Sequence, residues 1–295
     1  MTEIEHKAGF VSILGNPNVG KSTLMNTLVG ERLSIITAKA QTTRHRIMGI
    51  VNGDDFQIVY SDTPGVLTPN YKMQEYMMKY VDAALQDSDI LLYMVEAGET
   101  KYNQQVADSL MRFKTPVILI INKIDTVFQE QLTVAVQYWE EIIRPAKTCC
   151  ISALLKINVH EVIEKVVELL PVSPPYFPKE ELTDRPMRFF VSEIIREKIL
   201  LQYKKEIPYS AEIEITEYKE EKQITRIFAT VYVERETQKA IILGHKGQAI
   251  KELGIQSRLA IEEFIGQKVY LALSVKVQKD WRNDERRLKM FGYGI

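Results

Sequence analysis

The sequence predicts an α/β protein in which a doubly wound, mainly parallel sheet is followed by a smaller α+β domain. Up to residue 170, apolar strands alternate with amphipathic helices, the pattern of a parallel sheet with crossover helices. A proline-rich stretch at 171–178 cannot continue a helix and reads as a stiff, extended connection. We therefore expect domains at 1–172 and 186–295, joined by a linker at 173–185.

The elements of the first domain follow from their hydrophobic pattern. An apolar strand at 9–14 leads into a helix at 23–29, and residues 31–46 form an irregular segment. Asn52-Gly53-Asp54-Asp55 is a strong hairpin signal, so one strand of the sheet is expected to be antiparallel. The pattern predicts further strands at 47–51, 56–60, 90–95, 117–121 and 148–151 and helices at 73–86, 103–113, 129–142 and 158–170.

The second domain has a different order of elements: helix, strand, strand, helix, helix, strand. The two last helices flank a glycine-bounded turn, and a final segment at 280–293 mixes basic and aromatic residues. The pattern predicts helices at 191–201, 239–243 and 249–264 and strands at 211–218, 224–233 and 269–277.

Composition limits the classes of protein to consider. With 295 residues, 45% of them hydrophobic and a net charge of −1, the chain is an ordinary globular protein of about two domains. Its two cysteines, Cys149 and Cys150, are adjacent and cannot form a disulfide framework, which indicates a reducing compartment. No signal peptide and no apolar run of about 18–20 residues is found. We expect a soluble cytoplasmic protein, and contact with a membrane surface stays open.

The stretch GNPNVGKS lies between the first strand and the first helix, which is the setting of a phosphate-binding loop. Its backbone N–H groups can surround an anion at a helix N-terminus. The lysine can reach the β- and γ-phosphates, and the serine hydroxyl can ligate magnesium. The alternative, a chance glycine-rich turn, is disfavoured by pattern and setting. Phosphate contacts are expected from Gly15, Asn16, Pro17, Asn18, Val19, Gly20, Lys21, Ser22 and Thr23.

Two further loops carry groups suited to a γ-phosphate and a magnesium ion. Asp62 can hold the metal through water, and the Gly65 N–H can meet the phosphate without a Cβ in the way. In the earlier loop, Thr43 is preferred over Thr42 as the residue that closes on the metal. Read alone, each loop is equally well explained as a turn or a polar loop. The two segments are Gln41, Thr42, Thr43, Arg44 and His45, and Asp62, Thr63, Pro64, Gly65 and Val66; the predicted magnesium ligands are Ser22, Thr43 and Asp62.

The stretch Asn122-Lys123-Ile124-Asp125 follows a buried strand and favours guanine. One carboxylate accepts both N1–H and N2–H of guanine, and adenine lacks that pair of donors. The stem of the lysine can cover the base, and backbone N–H groups after the next strand can meet O6. The predicted guanine-binding residues are Asn122, Lys123, Asp125, Ser152 and Ala153.

Together these five stretches, in this order, resemble the translation-factor-related GTPases from residue 8 to about 170. The resemblance implies a P-loop GTPase fold, binding of GTP and GDP, and use of Mg²⁺. Val66 stands where Ras-like enzymes carry a water-orienting glutamine, so the chain is similar to the hydrophobic-substituted GTPases and is expected to hydrolyse GTP slowly. Asn18 matches a loop asparagine that binds K⁺ in some relatives, and whether this chain uses K⁺ stays open.

The glycine-bounded turn of the second domain points to RNA. A Gly-x-x-Gly turn between helices brings the backbone close to a nucleic-acid backbone beside an apolar groove. Residues 186–295 carry 20 Lys and Arg against 16 Asp and Glu, whereas the whole chain has a net charge of −1. A simple helix–helix turn is the alternative. With its element order, the domain resembles a type II KH domain, for which we expect RNA contacts from Gly244, His245, Lys246, Gly247, Lys251 and Arg258.

The combination resembles the Era family of bacterial GTPases over essentially the whole chain; the run at 39–47 and the ending at 291–293 agree with it. The resemblance implies binding near the 3′ end of 16S ribosomal RNA, a role in 16S rRNA processing and 30S subunit assembly, a monomer, and peripheral association with the inner membrane. The tail is interpreted as a last helix packed through Trp281, Leu288 and Phe291, with RNA contact as the alternative.

Two other functions stay open at this point. The chain could be a signalling or membrane-associated GTPase whose second domain binds protein or lipid, which salt-dependent RNA binding would distinguish. It could also be a constitutive RNA-binding protein with the GTPase domain as a platform, which coupling between GTP and RNA affinity would distinguish.

Overall fold

The structure is a computed structural model that describes residues 5–37, 39, 41–99 and 115–294; the helix predicted at 103–113 lies outside them. The chain divides into two compact units. The first comprises Met1–Thr68 and Met77–Asp184, and the second comprises Pro69–Tyr76 and Arg185–Ile295. The second unit thus includes a short segment from the first half of the chain, which no sequence pattern indicated.

Within the described residues, the first unit contains a six-stranded sheet. Its strands are β1 (Lys7–Gly15), β2 (Ile47–Asn52), β3 (Phe56–Asp62), β4 (Ile90–Glu96), β5 (Val117–Asn122) and β6 (Lys147–Cys150). The spatial order is β2-β3-β1-β4-β5-β6, and only the hairpin pair β2–β3 is antiparallel among these strands. The loops after β1, β3, β4, β5 and β6 therefore meet at one edge of the sheet.

Helices cover this sheet, and most residues of its central strands are apolar and buried. The helices are α1 (Lys21–Val29), α2 (Lys72–Asp87), α3 (Gln129–Ile143) and α4 (Val159–Leu169), with a short 3₁₀ turn at Ile124–Thr126. The run from Ile118 to Ile121 in β5 is fully buried, which confirms the buried strand predicted before Asn122 and means that both faces of β5 are covered. Trp139 of α3 is also fully buried and meets the Tyr93 ring of β4 edge-on.

The proline-rich stretch packs on the first unit. The Gln57 side chain of β3 accepts hydrogen bonds from the Tyr176 N–H at 2.7 Å and the Phe177 N–H at 3.0 Å. It also donates one to the Phe177 carbonyl at 2.8 Å. The Tyr176 ring lies 4.8 Å from the ring of Phe10 in β1. The first residues of the stretch pair with the start of β1, where the Ala8 N–H donates to the Pro171 carbonyl at 3.2 Å and the Ser173 N–H donates to the His6 carbonyl at 3.0 Å. The buried Gln57 thus holds the Tyr176–Phe177 part of a stretch that is attached to the first unit at several points.

The second unit is built on a three-stranded sheet of order β7-β8-β9. β7 and β8 are antiparallel, whereas β8 and β9 are parallel. Pro208 lies in the first turn of a one-turn helix, a position where proline is tolerated. The elements are α5 (Met187–Gln202), α6 (Ile207–Ser210), β7 (Glu212–Glu220), β8 (Thr225–Val233), α7 (Glu236–Leu243), α8 (Gln248–Ile265), β9 (Val269–Val277) and α9 (Glu285–Met290).

The tail is part of the second unit's core. Trp281 is fully buried and donates its indole N–H to the Ser210 carbonyl at 3.0 Å. The Phe291 ring meets Trp281 edge-on at 5.5 Å, and Leu288 is fully buried. These contacts confirm the interpretation of a packed last helix.

Candidate functional site

The loops at the carboxyl edge of the first unit's sheet enclose a cleft of about 390 Å³. Most of the residues predicted to bind nucleotide form its walls. Of those predicted, Pro17, Asn18, Gly20, Lys21, Ser22, Thr23, Gln41, Thr42, Thr43, Gly65, Asn122, Lys123, Asp125 and Ser152 line the cleft. The walls also include Ile35, Ile36, Thr37, Lys39, Thr126 and Leu154, which the sequence analysis missed.

The phosphate loop requires glycine where it passes β5. Gly20 has a φ of +105°, and a Cβ placed there would lie 2.4 Å from the Asn122 Nδ2, so a side chain would be both strained and obstructed. This close approach lets the amide of Asn122 donate to the Val19 carbonyl at 2.8 Å. The strand-end asparagine therefore fixes the start of α1.

Lys21 is enclosed at the bottom of the cleft. Its Nζ donates to the carbonyls of Gly15 at 3.0 Å and Asn16 at 2.9 Å. Burial lowers the pKa of Lys21 to about 8, although the negative charges of Asp62 and Glu99 act in the opposite direction. A phosphate beside this lysine would compensate the buried charge, which is the interaction a phosphate loop provides.

The three predicted magnesium ligands lie together. The Ser22 hydroxyl donates to Asp62 Oδ2 at 2.8 Å and lies 2.9 Å from the Thr43 hydroxyl, which is 3.4 Å from the same carboxylate oxygen. The second oxygen, Asp62 Oδ1, is buried and accepts no hydrogen bond from the described residues. Burial raises the pKa of Asp62, opposed by the charge of Lys21. Two hydroxyls and a carboxylate with an unused oxygen are the donor set that Mg²⁺ prefers.

The other residues of these two loops serve the fold. Arg44 and His45 are buried, and Thr63 donates its hydroxyl to the Ile13 carbonyl at 2.9 Å. Val66 packs against the apolar cluster that includes Leu14. The predicted residues that do not line the cleft are Gly15, Asn16, Val19, Arg44, His45, Asp62, Thr63, Pro64, Val66 and Ala153.

The predicted guanine end of the cleft is held together by Asn122. Its Oδ1 accepts the Ala153 N–H at 2.9 Å, so one amide joins the phosphate loop to the loop after β6. Lys123 adopts a left-handed conformation, with a φ of 64°, and is ion-paired with Glu96. Asp125 is exposed in the cleft wall, where its carboxylate is accessible to a base. Leu154, 74% exposed, follows Ser152-Ala153 directly, and that position was the signal that could have identified it.

The second unit carries a separate groove of about 330 Å³ beside α8 and β9. The glycine-bounded turn precedes α8, and a Cβ at Gly244 would lie 2.5 Å from the Ala249 Cβ, which explains the glycine. His245 and Lys246 are exposed in this turn. Of the predicted RNA contacts, Lys251 and Arg258 line the groove, whose walls are Ile250, Lys251, Gly254, Ile255, Arg258, Leu271 and Leu273.

Two negative findings apply to the described residues. Among these residues, no group of three or more His, Cys, Asp and Glu side chains is arranged to hold a metal ion. The candidate magnesium site is of a different kind, because it consists of the Asp62 carboxylate and two hydroxyls. None of the described helices has the length and apolar character required to cross a membrane.

Comparison with protein-family models gives two matches. Residues 10–123 match the model described as 50S ribosome-binding GTPase, and residues 206–282 match the KH domain model.

Whole-chain relatives match over nearly their full length. The chain is 43% identical to the GTPase Era of Carboxydothermus hydrogenoformans over 294 residues, which covers 98% of this chain and 99% of the relative. It is 42% identical to that of Staphylococcus haemolyticus over 292 residues, with 98% of each covered.

Solved structures agree with these sequence matches. The crystal structure of a point variant of Aquifex aeolicus Era bound to GDP·AlF₄⁻ is similar at a TM-score of 0.92 and 35% identity, with 98% of this chain and 100% of the other covered. A structure of Era with MgGDPNP and nucleotides 1506–1542 of 16S ribosomal RNA has a TM-score of 0.94 at the same identity and coverage. The predicted fold class, a P-loop GTPase fold with a mainly parallel sheet followed by a KH domain, is confirmed. The individual nucleotide and RNA contacts stay predictions.

Proposed function

Because the chain belongs to the Era family of GTPases, and is therefore a GTP-hydrolysing enzyme, we propose that it binds 16S ribosomal RNA near its 3′ end and acts in 16S rRNA processing and 30S subunit assembly. The observation that carries the proposal is the groove beside α8, where apolar walls adjoin Lys251 and Arg258. Such a groove can take unstacked bases while the basic side chains meet phosphates. The relative crystallised with nucleotides 1506–1542 of 16S ribosomal RNA indicates the RNA to test.

We assign the phosphates, the base and the metal ion to different residues of the cleft. Lys21 and the N–H groups of the phosphate loop neutralise the β- and γ-phosphates, and Asp125 accepts the two donors of guanine. Ser22, Thr43 and Asp62 would hold Mg²⁺, which would supply positive charge to stabilise the negative charge that develops on the phosphates during hydrolysis. The closeness of these three side chains and the unused oxygen of Asp62 support this assignment.

We propose slow intrinsic hydrolysis, because Val66 has no donor or acceptor with which to orient water. Its packing on the apolar cluster supports a structural role. We extend the proposal to K⁺ through Asn18, which lines the cleft. Single-turnover hydrolysis should be faster in KCl than in NaCl at equal ionic strength, and Asn18→Ala should remove the difference. Equal rates in the two salts for the native protein would contradict the potassium proposal.

The RNA proposal is tested by fluorescence anisotropy with an oligonucleotide matching nucleotides 1506–1542 and a scrambled control. Lys246→Asp should weaken binding about tenfold or more, because it replaces a phosphate contact with a like charge. The matched control is Lys222→Asp, an exposed position at the β7–β8 turn. The Glu221 carbonyl accepts a hydrogen bond from the Gln267 side chain, so this turn lies near the C-terminal end of α8. The glycine-bounded turn lies at the other end of this 18-residue helix, roughly 27 Å away.

The same assay separates the proposal from its alternatives. Affinity that falls with rising salt and prefers the matched sequence supports the assembly GTPase. No RNA binding at low salt, with intact GTP hydrolysis, would favour a GTPase whose second unit binds protein or lipid. Equal weakening by both lysine variants would show only general electrostatic attraction. Peripheral membrane association, cytoplasmic location and a monomeric state are proposals too, checked by vesicle flotation, cell fractionation and light scattering.

A further inference from the structure

The turn after β4 connects the two ends of the nucleotide cleft. In the sheet, β4 lies between β1, which leads into the phosphate loop, and β5, which leads into the guanine loop. The turn is closed by a hydrogen bond from the Glu99 N–H to the Glu96 carbonyl at 2.9 Å. The Ala97 N–H donates to the Asn122 carbonyl at 2.9 Å, so the turn is attached to the end of β5.

Two acidic side chains of this turn point in different directions. Glu96 is ion-paired with Lys123 of the guanine loop. The Glu99 carboxylate accepts the Asn16 side-chain N–H at 2.5 Å through Oε1 and the Glu96 backbone N–H at 3.3 Å through Oε2. A hydrogen bond whose acceptor is an ionised carboxylate is stronger than one between two neutral groups.

The backbone of Glu99 is itself fixed. Its carbonyl accepts the indole N–H of Trp139 at 3.1 Å, and Trp139 is fully buried. Because the backbone of Glu99 is held in place, its carboxylate can restrain the phosphate loop through Asn16. The charge of Glu99 also acts on Lys21, whose pKa it raises against the larger effect of burial.

We propose that Glu99 is a positioning residue for the phosphate loop. It holds the Asn16 side chain and thereby keeps the loop in the conformation in which the Asn16 carbonyl and its neighbours orient Lys21. The inference rests on GTP binding in this cleft. Together with the Glu96–Lys123 pair, it makes the turn at 96–99 a brace between the phosphate and guanine ends of the site.

The test compares GTP and GDP affinities of four variants by equilibrium titration with a fluorescent guanine nucleotide. Glu99→Ala and Asn16→Ala should each weaken binding about tenfold, the effect of one lost hydrogen bond to a charged group. The double variant should be no weaker than either single variant, because both remove the same contact. Glu99→Gln should restore most of the affinity, since its amide oxygen still accepts from Asn16. The charge-matched control is Glu141→Ala, an exposed position in the last turn of α3.

The outcomes are distinct. Native affinity in Glu99→Ala, or multiplied losses in the double variant, would overturn the proposal. A Glu99→Gln variant as weak as Glu99→Ala would overturn it too, because charge rather than the contact with Asn16 would then matter. Thermal unfolding without nucleotide shows whether Glu99→Ala is folded, and Glu99→Gln keeps the test decisive if it is not. Failure of the native protein to bind GTP would instead refute the nucleotide site itself.

Discussion

At the residue scale, the proposed preference of the cleft for guanine rests on a carboxylate that the fold leaves accessible. The Asn122 side chain donates to the Val19 carbonyl and accepts the Ala153 N–H, so it holds the phosphate loop and the loop after β6 together. Lys123 is ion-paired with Glu96. Asp125, by contrast, is exposed in the cleft wall, and we expect it to read the base.

Asp125→Asn should weaken GTP binding on the order of 100-fold, because two hydrogen bonds to a charged acceptor are disrupted. The same variant should gain affinity for xanthosine triphosphate, whose 2-oxo group can accept from the new amide. Competition titrations with both nucleotides measure this exchange. Asp54→Asn, an exposed change in the β2–β3 hairpin, should leave both affinities unchanged. Unaltered GTP affinity in Asp125→Asn would remove Asp125 from the guanine site.

The second residue-scale prediction concerns the rate of hydrolysis. Single-turnover hydrolysis by the protein alone should be far slower than ~10 s⁻¹, the range of Ras with its activator. Val66→Ala should change that rate little, because it removes packing against the apolar cluster and no polar group. Rapid-quench measurement at saturating GTP provides the test. A native rate near 10 s⁻¹ without RNA or partner would contradict the role given to Val66.

At the element scale, the sequence predicts those parts of the structure that have a recognisable residue pattern. Long apolar runs and glycine-bounded motifs predicted the sheet, its hairpin and most of the cleft. Ile36 and Leu154 line the cleft but are ordinary apolar residues, and their position depends on how the loops fold. Glu99 is a single acid in a turn, and only the sheet order brings it to the phosphate loop. Helix α5 begins at Met187, four residues before the predicted start, because local patterns define helix ends poorly.

The attachment of the proline-rich stretch can be tested at Gln57. Gln57→Ala should leave the N–H groups of Tyr176 and Phe177 without their acceptor and loosen the stretch at these two residues. Limited chymotrypsin digestion should then cut between these two aromatic residues faster than in the native protein, because local opening exposes the bond. Gln137→Ala, exposed on α3, is the control. Equal cleavage rates in the native protein and Gln57→Ala would mean that other contacts hold the stretch.

The packing of the tail gives a stability prediction. The Tyr293 hydroxyl donates to Glu212 Oε2 at 2.7 Å in a buried position. Tyr293→Phe keeps the ring and deprives a buried carboxylate of this partner, so it should lower the free energy of unfolding by about 1–3 kcal/mol. Tyr270→Phe, at a ring that is 46% exposed, should change it by less than about 0.5 kcal/mol. Equal denaturation midpoints for the two variants would show that the hydroxyl contributes nothing.

At the scale of the whole molecule, the path of the chain suggests how the two sites could communicate. The chain enters the second unit at Pro69, three residues after Val66, and returns to the first at Met77. The loop that carries Asp62 and Gly65 is thus followed directly by a segment of the second unit. A change in this loop on binding the γ-phosphate would act on that segment through covalent connection, in addition to the connection through the proline-rich stretch.

The last prediction is that GTP and RNA binding are coupled. GTP should raise RNA affinity relative to GDP, and RNA must then raise GTP affinity by the same factor, typically about 5–150-fold or about 1–3 kcal/mol. Lys246→Asp should weaken RNA binding in both nucleotide states, because its effect is local to the RNA. Thr43→Ala should instead reduce the difference between the states, because it removes the hydroxyl beside Ser22 and Asp62 that we propose as a magnesium ligand.

RNA anisotropy at fixed salt, with GDP and with a non-hydrolysable GTP analogue, measures both affinities. The reciprocal titration of nucleotide in the presence of saturating RNA must return the same factor, which guards against an artefact of the probe. Equal RNA affinities in the two states would mean that the nucleotide does not control the groove. The chain would then be a constitutive RNA-binding protein in which the GTPase unit serves as a platform.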